Sequence, residues 1–154
     1  MIQTQTIYTK SVKETMKLGR SIARQLTGGE VIALLGSLGS GKTILTKGIA
    51  KGLGIREIIT SPTFVLMKVY PVKREKIHCF CHIDAYRLDK GTQLLDIGAS
   101  DWLEQAKVIT VIEWADQVAD ILPKNTILIK IKTSKKENER IIKISKNGKI
   151  LSTK

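Results

Sequence analysis

Eight consecutive residues, Gly36-Ser-Leu-Gly-Ser-Gly-Lys42-Thr43, carry the clearest chemical signal in the chain: they fit G-x4-G-K-[ST] at every position. The glycines let the backbone double back, so that successive N–H groups point inward at phosphate oxygens. A helix beginning near Lys42 adds the partial positive charge of its N-terminus. In such a loop the lysine reaches the β- and γ-phosphates of a nucleoside triphosphate, and the threonine hydroxyl ligates magnesium. The expected phosphate-binding set is Gly36, Ser37, Leu38, Gly39, Ser40, Gly41, Lys42 and Thr43. No N/T-K-x-D-type string that reads guanine occurs, which favours ATP over GTP.

A magnesium-dependent P-loop protein also needs an acidic residue at the end of another buried strand. Glu113, which closes the apolar run Val108–Ile112 as the chain turns polar, is the strong candidate. Its neighbour Trp114 fits either plain core packing or a cover over the site. In His82-Ile-Asp84-Ala-Tyr86-Arg87, Asp84 suits orienting the attacking water or assisting at magnesium. Tyr86 and Arg87 suit packing and a surface ion pair equally well. The string His78-Cys-Phe-Cys81-His82 looks like a metal cluster but is rejected as one. On a strand, the histidines face one way and the cysteines the other, and no second Cys/His group exists. Cys79 and Cys81 read as small buried apolar residues.

These residues need elements to hold them. Glu30–Leu35 is a short apolar run of the kind found in a strand buried on both faces, and a helix is expected from Lys42 to about Leu53. Upstream, Ser11-Val-Lys-Glu14 is a capping-box signature that opens a helix over about 11–27, after a short strand at Thr6–Tyr8. Thr60–Thr63 is a proline-led turn. Phe64–Tyr70 and Ile77–Ile83 read as a hairpin, 92–105 as helix, and Lys107–Ile112 as another buried strand. Ile127–Ile131 and Ile141–Ile144 alternate apolar with polar, and Asn147-Gly148 is a hairpin turn. Helices and strands alternate early and strands dominate late. The expected fold is α/β, a P-loop NTPase-like mixed sheet flanked by helices with antiparallel strands towards the C-terminus.

At 154 residues the chain reads as one domain. Its apolar runs of about six residues fall far short of the ~20 of a membrane span, and Met1–Thr6 lacks the character of a signal peptide. Two cysteines make no disulfide framework, so a cytoplasmic protein is expected. The net charge is +12, and residues 124–154 hold ten basic groups against Glu137 and Glu139, so +8 of it lies there. Those lysines fit the solvated face of a sheet, or a weak, salt-sensitive RNA-contacting surface.

The P-loop, Ser61-Pro-Thr-Phe64, His82-x-Asp84-x-Tyr86-Arg87 and Glu113-Trp114 occur in the order and spacing of the TsaE (YjeE) family, which this chain resembles over nearly its whole length. Family loops usually read G-[DE]-L-G-A-G-K-T, whereas Ser37 and Ser40 stand here for the acidic residue and the alanine. The resemblance implies an ATPase needed for N6-threonylcarbamoyladenosine at position 37 of tRNAs reading codons that begin with A. It also implies partners, TsaD with TsaB, that perform the transfer, with tRNA contacted indirectly or weakly. By the same resemblance, Lys42 and the loop amides bind phosphates, Thr43 and Glu113 hold magnesium, and Asp84 supports hydrolysis. Thr15 and Arg140 flank the nucleotide, and Ser61 and Thr63 sit in a loop that senses the γ-phosphate. A stand-alone P-loop kinase is the first alternative, although Arg56, Arg74 and Arg87 form no clustered lid. A basic RNA-binding module is the second.

Overall fold

Apolar runs that cannot face water on either side have to lie in the middle of a sheet, and three strands here do. The computed structural model describes residues 2–61 and 66–147. Its seven strands are β1 (Ile2–Thr9), β2 (Val31–Leu35), β3 (Met67–Pro71), β4 (Cys79–Asp84), β5 (Val108–Glu113), β6 (Ile127–Thr133) and β7 (Arg140–Asn147). They form one sheet in the order β1-β7-β6-β2-β5-β4-β3. The central strands β6, β2, β5 and β4 run parallel, while β7 pairs antiparallel to β6, β1 to β7 and β3 to β4. The mixed α/β sheet expected from the sequence is therefore what forms, with β3 and β4 as the expected hairpin.

Helices α1 (Val12–Ala23) and α2 (Lys42–Gly52) cover one face. Ser11 caps α1 by accepting from the Glu14 amide at 3.0 Å, while the Glu14 carboxylate accepts from the Lys10 amide at 2.6 Å. The two helices lie close because Gly19 and Gly48 face each other: a Cβ on Gly19 would sit 2.6 Å from the Leu45 carbonyl and 2.8 Å from Gly48 Cα. Leu18, Ile22, Leu45 and Ile49 from these helices form one core with Ile32, Ile109, Ile129 and Ile142 of the sheet. On the other face a second core joins Ala33, Ile83 and Ile112 to Leu94, Ala99 and Val118. These last come from helix α3 (Gly91–Asp96), a 3-10 turn (Ala99–Asp101) and a 3-10 stretch (Ala115–Ile121).

The helix expected over 92–105 is thus broken. It ends at Ile97, Gly98 takes φ +89°, and only the short 3-10 turn follows. The 3-10 stretch after β5 has no counterpart in the sequence reading. Strands β1 and β7 are longer than their apolar cores suggested, because they pair with each other from Ile2↔Asn147 to Thr9↔Arg140. The expected 147–148 turn and the 62–65 part of the turn and strand fall outside the described residues, apart from Asn147, the last residue of β7.

Candidate functional site

Parallel strands bring their C-terminal ends to one edge of the sheet, and there the polar residues collect. β2 runs into the glycine loop at Gly36, Leu34 is in register with Glu113, and Glu113 with Asp84. Three separate segments therefore meet without any long side chain having to reach.

The loop is built around Ser40 and Lys42. Ser40 is fully buried, and its amide donates to the Ser37 carbonyl at 3.1 Å. Gly41 takes φ +109°, a conformation side chains rarely adopt, and directs the chain into α2. Leu38 stands 81% exposed at the loop tip. The Lys42 ammonium donates to the Gly36 carbonyl at 2.6 Å and the Ser37 carbonyl at 2.9 Å, with Ser40 Oγ at 3.5 Å. It also lies 3.9 Å from the centre of the Trp114 ring. Burial pushes its pKa down, against the opposing pull of Glu113, Asp84 and Asp116.

Glu113 is the hub of the carboxylate side. Its Oε1 accepts from Thr43 Oγ1 at 2.7 Å, and its Oε2 lies 2.9 Å from His82 Nε2 and accepts from Ser61 Oγ at 3.3 Å. Burial works against its charge, but the His82 hydrogen bond and charge, with the Thr43 and Ser61 hydroxyls, outweigh it and hold the carboxyl below its usual range. Asp84 is aimed by two donors: Ser61 Oγ at 2.9 Å to Oδ2 and the Tyr86 amide at 3.0 Å to Oδ1. These side chains and the loop line a cleft of about 390 Å³, walled by Tyr86 and Trp114, whose rings are 4.9 Å apart. Trp114, at φ +57°, is half-buried and covers the site.

Gly39 to Thr43, Ser61, Asp84 and Glu113 thus converge, while Gly36 and Ser37 enter through their carbonyls beneath Lys42. Arg140 reaches the loop from β7: its Nε donates to the Ser40 carbonyl at 2.8 Å and its Nη2 to Gly39 at 3.3 Å. Its placement is that of a brace behind the loop. Thr15 borders the same small hollow beside Gly41, but it is buried and its hydroxyl lies 2.7 Å from that of Thr9. Thr63 falls outside the described residues. His82 was read only as part of a motif. Its buried contact with Glu113 comes from the diagonal neighbourhood of β4 and β5, which no spacing within one strand reveals. On β4, Cys81 and Ile83 join one core while Phe80 joins the other, so the strand alternation that ruled out a Cys/His cluster holds.

The oxygen-only set of Thr43, Glu113 and Asp84 suits magnesium, which keeps several waters and takes one or two carboxylates. Among the described residues no group of three or more His, Cys, Asp and Glu stands ready to enclose an ion. Nor, among them, is any helix long and apolar enough to cross a membrane.

A glycine loop between a buried parallel strand and a helix, with carboxylates ending the next two strands, defines a P-loop NTPase-like α/β fold. A sequence model described as Threonylcarbamoyl adenosine biosynthesis protein TsaE matches residues 9–142. The chain belongs to the TsaE family. It is 39% identical over 132 residues to the tRNA threonylcarbamoyladenosine biosynthesis protein TsaE of Treponema pallidum, covering 86% of this chain and 94% of that one. It is 32% identical over 133 residues to the Bacillus subtilis protein of the same name, covering 86% and 80%. The crystal structure of Bacillus subtilis YdiB superposes with a TM-score of 0.78 at 30% identity, over 96% of this chain and 88% of that one.

Proposed function

We propose that this chain binds ATP with magnesium in the cleft at the ends of β2, β4 and β5 and hydrolyses it in the service of threonylcarbamoyladenosine formation on tRNA. The observation that carries the reading is the convergence of the Gly39–Thr43 loop with Glu113 and Asp84, side chains from three separate segments, on one cleft. The phosphates lie along the amides of Gly39 to Thr43, at the N-terminus of α2. Lys42 exchanges its loop carbonyl partners for phosphate oxygens. Thr43 and Glu113, already hydrogen-bonded to each other, are the residues that would hold the metal. Magnesium held there would supply positive charge against the negative charge of the phosphates. Asp84, fixed by Ser61 and the Tyr86 amide, orients the attacking water. Ser61, within hydrogen-bond reach of both carboxylates, stands where a change at the γ-phosphate would be felt. Arg140 holds the loop closed from behind.

The relatives' names place them in tRNA threonylcarbamoyladenosine biosynthesis; in this reading, hydrolysis by the present chain drives or resets a modification complex in which TsaD- and TsaB-like proteins perform the transfer. A small-molecule kinase fits less well: Arg74, one of three arginines between α2 and Glu113, donates instead to the Ala23 and Gly52 carbonyls at the ends of α1 and α2. The test is ADP release from ATP and magnesium without acceptor, together with capture of partners from cell extract with and without ATP. Release of ADP and ATP-dependent capture of tRNA-modification proteins support the reading. Phosphorylation of a small acceptor, with no release in its absence, contradicts it.

A further inference from the structure

Cover on the second face of the sheet stops at β2. The 3-10 stretch 115–121 and α3 close over β4, β5 and β2, but the same face of β6, β7 and β1 is bare. It displays Lys130 and Lys132 from β6, Lys143 from β7 and Tyr8 from β1, all exposed, with Tyr8 at 63%. Among the described residues it carries no carboxylate. Lys130 and Lys143 are direct cross-strand partners. Like charges in that position repel and cost stability, so a purely solvated face gains nothing from the pairing. At the step where the cover ends lies a groove of about 770 Å³, lined by Leu35 and Trp114, by the Gly36-Ser37 start of the glycine loop, and by Lys130, Lys132 and one carboxylate, Asp116. That volume is in the ~300–1,000 Å³ range of sites that enclose a small organic group.

We infer that this bare face is an RNA-docking surface, with Lys130, Lys132 and Lys143 on phosphates, Tyr8 as a stacking platform, and the groove beside Trp114 receiving one splayed nucleotide. Three facing cations without a carboxylate call for a polyanion. The aromatic ring on an open sheet favours RNA over an acidic protein surface, because unstacked bases lie on such rings. The groove offers a further aromatic wall in Trp114 and an apolar one in Leu35 for a base, beside two lysines for its phosphate. The inference deepens the proposed function by giving the RNA a seat on this chain. It does not depend on ATP hydrolysis.

The test is fluorescence anisotropy of a labelled tRNA anticodon stem-loop titrated with the full chain, nucleotide-free, at several salt concentrations, with ATP hydrolysis measured on the same variants. Each phosphate contact contributes about −0.7 to −0.9 to the slope of log affinity against log salt, so three give about −2 to −2.7. Lys130→Gln with Lys143→Gln is expected to flatten the slope by about 1.5 while melting temperature holds or rises, since the repulsion is relieved. Tyr8→Ala is expected to weaken binding about tenfold. Both variants should keep wild-type hydrolysis. No binding by the wild type at low salt, or an unchanged slope in the double variant, overturns the inference. So does poly-L-glutamate displacing the RNA at equal charge with Tyr8→Ala silent, the behaviour of a surface for an acidic protein. Any of these results alongside intact hydrolysis leaves the ATPase reading standing.

Discussion

The two halves of the sheet obey different rules. In the parallel half, β5 is buried at every position from Val108 to Glu113, with Ile109 in one core and Ile112 in the other. Where the sheet turns antiparallel, β6, parallel to β2 but antiparallel to β7, alternates buried Ile127, Ile129 and Ile131 with exposed Leu128, Lys130 and Lys132. A polar residue therefore means different things in each. On β6 a lysine simply occupies the open face. On β4 and β5, His82, Asp84 and Glu113 are polar groups buried within largely apolar strands, a costly placement that holds because His82 and Glu113 bind each other, Glu113 also binds Thr43, and Asp84 binds Ser61 and the Tyr86 amide. The parallel half concentrates its chemistry at one edge, and the antiparallel half spreads charge over a face.

The sharpest break in that contrast comes from Lys42→Ala. Removing the ammonium is expected to lower ATP hydrolysis by at least about 10²–10³-fold with the fold intact by circular dichroism, as for loss of one preorganised transition-state contact. Unchanged turnover would remove the phosphate site from the account. Next come the cores. Ile109→Ala and Ile112→Ala on β5 are each expected to cost about 2–5 kcal/mol in urea unfolding, one for each covered face. On β7, Ile142→Ala should cost as much, whereas Lys143→Ala should change stability by less than about 0.5 kcal/mol. Equal losses at Ile142 and Lys143 would mean the bare face is not bare.

A smaller effect separates positioning from packing at His82. His82→Ala frees one oxygen of Glu113, and the magnesium concentration for half-maximal hydrolysis should rise about 10- to 100-fold. His82→Gln, which keeps a donor, should recover part of that. A purely structural role predicts a lower melting temperature with no shift in metal requirement. The least effect at neutral pH belongs to Cys81, whose thiol is pushed up to about 12 by burial and, less, by Cys79. A raised thiol pKa favours the folded state fully below the unfolded value of 9.0, and the contribution disappears as pH climbs to about 12. Alkylation at pH 8 should therefore leave Cys81 unmodified in the native protein and modify it only after unfolding, as peptide mass mapping would show.

Much of this was legible because it is local. The phosphate loop is eight contiguous residues, and Glu113 marks its own strand end. The capping box at Ser11–Glu14 and the alternation on β6 likewise follow from short-range pattern. What was not legible depends on register and packing. The His82–Glu113 contact needs β4 laid beside β5, and the bracing by Arg140 joins residues 100 apart in sequence. Arg140 entered the reading only through family resemblance. The run 92–105 had helical composition, but Gly98 in the left-handed region ended it early. The 3-10 stretch 115–121, kinked at Val118, is too short and irregular to show a period. Ser40, which stands where family loops carry alanine, turns out fully buried with its hydroxyl 3.5 Å from the Lys42 ammonium.

The most direct measurement is a calorimetric titration of ATP, with and without magnesium, into the wild-type chain, Lys42→Ala and Lys143→Ala. The account predicts one binding site per chain, tightened by magnesium, lost or severely weakened in Lys42→Ala and untouched in Lys143→Ala. Equal binding by all three proteins, or none by the wild type at millimolar ATP, would contradict it.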